Sequence, residues 1–282
     1  MEKQKRLVAI NDISGFGRCS LTVASPIISA SGIECVCMPT AVLSTHTGGF
    51  SGYTYRDLTS DMPKMTEHWE SIDLKFDAIY SGFLGSIEQI DIVKDFIKKF
   101  KTDENILIAD PCMADLGKMY VLFNDEFAKK MTSLCSLADI ILPNITEACF
   151  MTDTEYVEGV QTKKYIEQLL NKLLDLGVKN VILTGVSFED NKIGAACMGE
   201  SRVAQYYFNE KIPENYHGTG DVFASAFCGG LLNGFNLYES MCIAVRFTCD
   251  CIKRTKESAP DTHYGVDFER GIPYLLKELK KV

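Results

Sequence analysis

A chain of 282 residues with 46% hydrophobic side chains has ample apolar material for one large α/β domain or two smaller ones. Its formal net charge of −9 argues against a general nucleic-acid binder, which needs a basic surface. No apolar run approaches the roughly 20 residues of a membrane-spanning helix. The apolar stretch after Met1-Glu2-Lys3-Gln4-Lys5-Arg6 is too short for a secretory signal core, so a soluble cytoplasmic protein is expected.

Short apolar runs and longer helical patterns alternate along the chain. Leu7–Asn11 reads as a strand, the segment from Asp12 through Ser14, Gly15 and Gly17 as a turn facing substrate, and Leu21–Ser31 as a helix. A strand at Ile33–Met38 precedes the polar stretch Ser44-Thr45-His46-Thr47-Gly48-Gly49. Strands at Ala78–Ser81, Ile106–Asp110, Ile140–Asn144 and Val181–Thr184 then alternate with helices at Ile87–Lys101, Asp125–Leu137 and Thr162–Leu176. Ile193–Met198 and Val203–Phe208 suggest a late edge hairpin, and Gly220–Leu232, Leu237–Lys256 and Phe268–Lys281 close the chain as helices. This order predicts a largely parallel central sheet flanked by helices. No repeat or low-complexity linker interrupts it, so residues 1–282 are expected to form a single domain.

The eleven cysteines do not suggest a disulfide framework. Many, such as Cys35, Cys37, Cys149, Cys228, Cys242 and Cys249, lie in apolar segments, and no C-x-x-C pair occurs; they read as reduced, buried hydrophobes.

Asn11-Asp12, Ser81-Gly82, Asp110-Pro111, Pro143-Asn144 and Thr184-Gly185 each follow an apolar strand. In an open parallel sheet such carboxyl ends meet one crevice, where ligands bind. The most informative stretch is His217-Gly218-Thr219-Gly220-Asp221, directly before the apolar run Val222–Leu232. Glycines let backbone N–H groups converge, and a helix N-terminus adds partial positive charge, which together can hold a phosphoryl group. Asp221 could take a proton from an attacking hydroxyl; the alternative is an ordinary acidic residue stabilising a helix start. Asp110 and Glu147 could organise magnesium, directly or through its waters, or simply cap turns. His46 could stack on a substrate ring or bond its substituents, or sit in a solvated loop.

No G-x-x-x-x-G-K-[ST] sequence is present, against a P-loop NTPase. Gly15-x-Gly17-x-x-Ser20 only loosely approaches the dinucleotide fingerprint, and Glu34 stands near the start of the next strand rather than its end.

Ala9-Ile10-Asn11-Asp12, Ser44-Thr45-His46-Thr47, Ser81-Gly82-Phe83-Leu84-Gly85-Ser86, Asp110-Pro111-Cys112-Met113, Pro143-Asn144-Ile145-Thr146-Glu147 and Gly218-Thr219-Gly220-Asp221 occur in that order. Taken together they resemble the pyridoxal kinase branch of the ribokinase-like superfamily, across nearly the whole chain. The resemblance implies a ribokinase-like α/β fold with a small or absent lid, and ATP-dependent phosphorylation of the 5′-hydroxyl of pyridoxal, pyridoxamine or pyridoxine. It implies Asp221 as general base and an anion hole from Gly218, Thr219 and Gly220. Asp12, His46 and Thr47 align with the substrate pocket; Asp110, Asn144, Glu147 and Thr184 align with the nucleotide or metal side. Magnesium on Asp110 and Glu147, potassium as a further candidate ion, and a homodimer are implied in the same way.

Asp12 stands where many pyridoxal kinases carry serine, Thr184 where some relatives use lysine, and Gly48 where some carry a more polar side chain. Hydroxymethylpyrimidine kinase is the closest enzymatic alternative, and a noncatalytic B6-binding protein is the alternative from a different class.

Overall fold

A run of apolar residues interrupted only by Asn11, Asp12 and Ser14 builds strand β1, Arg6–Phe16. The protein is described here from a computed structural model covering residues 3–214, 216–259 and 264–281; Met1 and Glu2 of the N-terminal basic stretch lie outside them. β1 is followed by α1 (Leu21–Ala30), β2 (Glu34–Thr45), β3 (Tyr55–Asp57), α2 (Met62–Ser71) and β4 (Ala78–Ser81). Then come α3 (Ile87–Phe100), β5 (Ile106–Ala109), the small hairpin β6 (Ala114–Asp115) and β7 (Lys118–Met119), and α4 (Asp125–Cys135). β8 (Ile140–Ile141), α5 (Ile145–Thr152), α6 (Lys163–Leu174), β9 (Asn180–Val186), β10 (Lys192–Met198) and β11 (Gln205–Glu210) follow. The chain closes with α7 (Thr219–Leu232), α8 (Leu237–Ser258), a 3₁₀ turn at Glu269–Gly271 and α9 (Ile272–Glu278).

The packing divides the chain into two compact units, residues 1–79 with 212–282 and residues 80–211, with the boundary inside β4. In the first unit β1 pairs parallel with β2, and β2 pairs antiparallel with β3. Leu7, Val8, Ala9 and Ile10 are all fully buried, as expected for a strand covered on both faces. Burying a Leu, Val or Ile side chain contributes roughly 1.5–3 kcal/mol. Helix α1 packs on β1 and β2, and α7 packs on α1 and α8. In the second unit β5, β8 and β9 run parallel, and β10 and β11 add antiparallel strands beyond β9. This is the predicted α/β class: a largely parallel sheet flanked by helices, with antiparallel edges.

Two differences from the sequence reading bear on the site. β1 and β2 continue past Asn11 and Met38, so Asp12, Ser14, Ser44 and Thr45 lie in strands rather than in turns. The β1–β2 register slips between Asn11, opposite Pro39, and Ile13, opposite Val42. The extra residue is on β2, where Thr40 and Ala41 stand against the single residue Asp12 of β1. Thr184 likewise lies inside β9 instead of at its end. Apolar periodicity stops at the first polar pair, but backbone pairing does not depend on side-chain polarity. The C-terminal helix is also shorter than read, because the 3₁₀ turn takes its first residues.

Side chains cap most of the helix starts. Ser86, Asn124, Asn144, Thr162 and Asn236 accept backbone N–H groups at α3, α4, α5, α6 and α8. Helix α7 begins instead at Gly218, with no side-chain cap.

Candidate active site

Gly218 adopts φ 76°, and a Cβ there would stand 1.9 Å from the Arg18 carbonyl oxygen. Only glycine fits, so the turn into α7 approaches the Gly17–Ser20 segment backbone to backbone. The first amides of a helix have no acceptor within it. Here no capping side chain takes them, and, beyond its chain neighbours and its own helix backbone, no described atom lies within 4 Å of a Cβ built on Gly220.

Asp221 stands in the first turn of α7. Its Oδ2 accepts from the Ser20 amide at 2.8 Å, and its Oδ1 accepts from Asn11 Nδ2 at 3.3 Å. Desolvation by burial pushes its carboxyl up to about 6; the Ser20 amide and Asn11 oppose this, and the Asp12 charge adds to it. A half-buried carboxylate held at two points and titrating just below neutrality suits a general base.

Asp12 is only 4% exposed. Its Oδ1 accepts from Ser20 Oγ at 2.5 Å and its Oδ2 from Ser14 Oγ at 3.0 Å, while its amide donates to Asn11 Oδ1 at 3.0 Å. Burial raises its pKa, and the two hydroxyls oppose the shift. Ser20 holds φ 58° and ψ −137°, a conformation that side-chain-bearing residues seldom adopt. That backbone lets the Ser20 amide reach Asp221 while its hydroxyl reaches Asp12.

His46 is buried, against a solvated loop, whereas Thr47 is exposed. The Gly48 amide donates to His46 Nδ1 at 3.1 Å, and Nε2 lies 3.2 Å from the Tyr264 carbonyl oxygen. An amide needs a lone pair and a carbonyl needs a proton, so this network assigns the neutral ring protonated on Nε2. With both nitrogens engaged, His46 offers a ligand its ring rather than a new in-plane hydrogen bond. The rings of Phe50 and His217 lie 5.0 and 5.2 Å away. Gly48 has no side chain because the His217 ring fills that space; a Cβ would meet it at 2.5 Å. Phe16 packs on Phe50 and Tyr264, completing an aromatic cluster.

The other predicted residues belong to the second unit. Asp110 follows β5, is partly exposed, and its Oδ1 accepts from the Cys112 amide at 3.2 Å. Asn144 and Glu147 form a reciprocal capping box at the start of α5. Glu147 also accepts from the Met113 amide at 2.9 Å, and Asn144 Nδ2 donates to the Ala114 carbonyl at 2.8 Å. Thr184 bridges to Asn144, its amide donating to the Pro143 carbonyl at 2.9 Å. Glu147 is 2% exposed, and burial pushes its carboxyl up to about 7 against the backbone amides that lower it.

For magnesium the donors are unequal. Asp110 offers a partly exposed carboxylate of the kind that joins waters and phosphate oxygens around this ion. Both Glu147 oxygens already accept backbone amides, so Glu147 fits only as a support behind the ion's water shell. Among the described residues no three His, Cys, Asp or Glu side chains converge as a metal cluster.

The structure therefore brings Asp12, His46, Asp221 and the Gly218–Gly220 turn together in the first unit, and Asp110, Asn144, Glu147 and Thr184 together in the second. The sequence reading assigned no role to Asn11, Ser20, His217 or Tyr264. Asn11 and Ser20 stood inside quoted motifs, but only tertiary contact shows that both reach Asp221. Tyr264 enters through its carbonyl, which leaves no trace in residue type.

The phosphomethylpyrimidine kinase family model matches residues 27–266. A candidate phosphomethylpyrimidine kinase from Bacteroides thetaiotaomicron is 36% identical with a TM-score of 0.93, covering 97% of this chain and 94% of that one. A second crystal form of it, with pyridoxal, superposes at 0.91. Pyridoxal kinase from Lactobacillus plantarum is 28% identical at a TM-score of 0.88, covering 98% of both chains. The chloroplastic thiamine biosynthetic bifunctional enzyme TH1 of Arabidopsis thaliana is 23% identical over 82% of this chain; the match spans only 43% of that enzyme's length.

Proposed function

Since the chain belongs to the phosphomethylpyrimidine kinase family of the ribokinase-like superfamily, and is thus a phosphotransferase acting on an alcohol group, we propose that it transfers the γ-phosphoryl group of ATP to the 5′-hydroxyl of a B6 vitamer. The observation that carries this reading is the setting of Asp221, held by Ser20 and Asn11 in the first turn of a helix with no side-chain cap.

The substrate hydroxyl gives its proton to Asp221 as its oxygen attacks the γ-phosphorus, and the bond to the β-phosphate oxygen breaks to release ADP. The amides of Gly218, Thr219 and Gly220 stabilise the transferring oxygens. His46 packs its ring face near the heteroaromatic substrate, and Thr47 lines the same side. Asp110, Asn144 and Thr184 are assigned to the nucleotide. Magnesium, when bound, offsets phosphate charge, with Asp110 as its carboxylate and Glu147 behind its waters. A cytoplasmic homodimer is part of the same proposal.

The B6 assignment is supported by the Bacteroides relative crystallised with pyridoxal. Hydroxymethylpyrimidine phosphorylation is the second reading, favoured by the family's own description and the thiamine-pathway relative. Purified protein with ATP and magnesium, offered pyridoxal, pyridoxamine, pyridoxine and hydroxymethylpyrimidine, separates them by mass spectrometry of the phosphorylated products. A B6 phosphate formed with the highest kcat/KM supports the proposal. Preference for the pyrimidine replaces it with the second reading, and ligand-induced stabilisation without any product would make the protein a binder.

A further inference from the structure

Asp12 is aligned with substrate-pocket positions, yet its carboxylate is spent inside the protein. Both oxygens accept hydroxyls, from Ser14 and Ser20, and almost none of its surface is open. The hydroxyl of Ser20 holds Asp12, and the amide of the same residue holds Asp221. Asn11 makes a second link, accepting the Asp12 amide through Oδ1 and donating to Asp221 through Nδ2. Two carboxylates thus share two intermediaries in the first unit.

We propose that Asp12 and Ser20 are positioning residues for Asp221: Ser20, held in its rare backbone conformation by Asp12, aims the base, and the Asp12 carboxylate acts on that base through Ser20 and Asn11. This rests on the reading of Asp221 as the general base. Three observations favour it over a ligand role for Asp12. Its polar atoms already have protein partners. The β1–β2 register slip falls at Asp12, which alone faces the two residues Thr40 and Ala41 of the bulged strand β2. The strained backbone of Ser20 places one residue against both acids, and backbone strain concentrates where a site over-determines a residue.

The other titratable groups around this pair are few. Cys19, in the turn before α1, is buried and driven toward its neutral thiol by burial and by both carboxylates. Tyr55 on β3 keeps its proton chiefly through burial, with the charges of Asp57 and Asp12 adding to it. Neither supplies a charge near neutrality. Like charge raises the pKa of a neighbouring acid, so neutralising Asp12 frees Asp221 to ionise at lower pH.

The test is the pH dependence of kcat/KM for the best alcohol found in the substrate panel. Asp12→Asn is expected to move the acidic limb down by on the order of one pH unit, with KM for the alcohol within about twofold of wild type. Ser20→Ala keeps the amide on Asp221 but removes the hydroxyl from Asp12. Asp12 then holds its proton to higher pH, and the limb moves the same way. Ser20→Ala decides the matter if Asp12→Asn does not fold. A limb that stays in place in the folded variants overturns the proposal, as does a tenfold rise in KM with the limb unmoved, which would make Asp12 a substrate ligand. Failure of the underlying reading is separate: wild-type protein would lack the acidic limb altogether, or Asp221→Asn would turn over normally.

Discussion

Asp221 sits where two opposing demands meet. Burial favours its protonated form, whereas the Ser20 amide and Asn11 favour the carboxylate, and the balance falls at about 6. A base must be ionised to act, so kcat/KM for the alcohol should rise with pH through about 6 and level above it, as a steady-state pH profile will show. Asp221→Asn should cut kcat by on the order of 10²–10⁴. The stability sign is opposite. The folded protein holds this proton more tightly than the unfolded chain, so its stabilising effect is full below 3.8 and lost as pH rises through about 6. At pH 8 the Asp221→Asn protein should therefore melt no lower than wild type in thermal scans. Gly218→Ala has neither advantage. It forces a side chain into the left-handed region, costing about 1–2 kcal/mol, and drives a methyl onto the Arg18 carbonyl. Lower stability in urea and reduced turnover are both expected.

At the scale of elements, the way a helix begins separates support from chemistry. α5 begins with a capping box whose Glu147 also anchors the Met113 amide. α7 begins with glycine, and no side chain caps its first amides. Glu147→Ala removes the acceptor from two backbone amides at once. Unsatisfied groups of this kind cost about 1–3 kcal/mol each, so urea denaturation should show a loss of roughly 2–6 kcal/mol by the same estimate. The Glu147 carboxyl is raised in the folded state, so its contribution is fullest below 4.5 and fades as pH rises through about 7. The gap between wild type and variant should narrow from pH 5 to pH 8.

For the molecule as a whole, the cysteines test the covalent description. All eleven stand outside disulfides, and most are buried as small apolar side chains. Denaturation without reductant followed by alkylation should add eleven alkyl groups by intact mass, and thiol reductants should leave the melting temperature unchanged. No described helix is long and apolar enough to cross a membrane. The two compact units each gather one set of the predicted polar residues, Asp221 with its glycine turn in one and the capped acidic cluster in the other.

By itself the sequence determined the alternation of strands and helices, because burial on a sheet and burial on a helix leave different periodicities. It also determined the amide turn with its acid, because only glycine tolerates the backbone geometry that exposes those N–H groups. Hence the α/β class was legible from that alternation, and the place of Asp221 at a helix start from Val222–Leu232 and the glycines before it. Strand ends were not: β1 continues through Asn11, Asp12 and Ser14 because backbone pairing with β2 persists where side-chain polarity signals a turn. Nor was the network around Asp221. Asn11, Ser20 and Asp12 are ordinary polar residues in the chain, and become a unit only when β1 and the start of α1 meet α7. Hydrogen bonds between residues some two hundred positions apart depend on angstrom-scale packing, which residue type and local spacing do not encode.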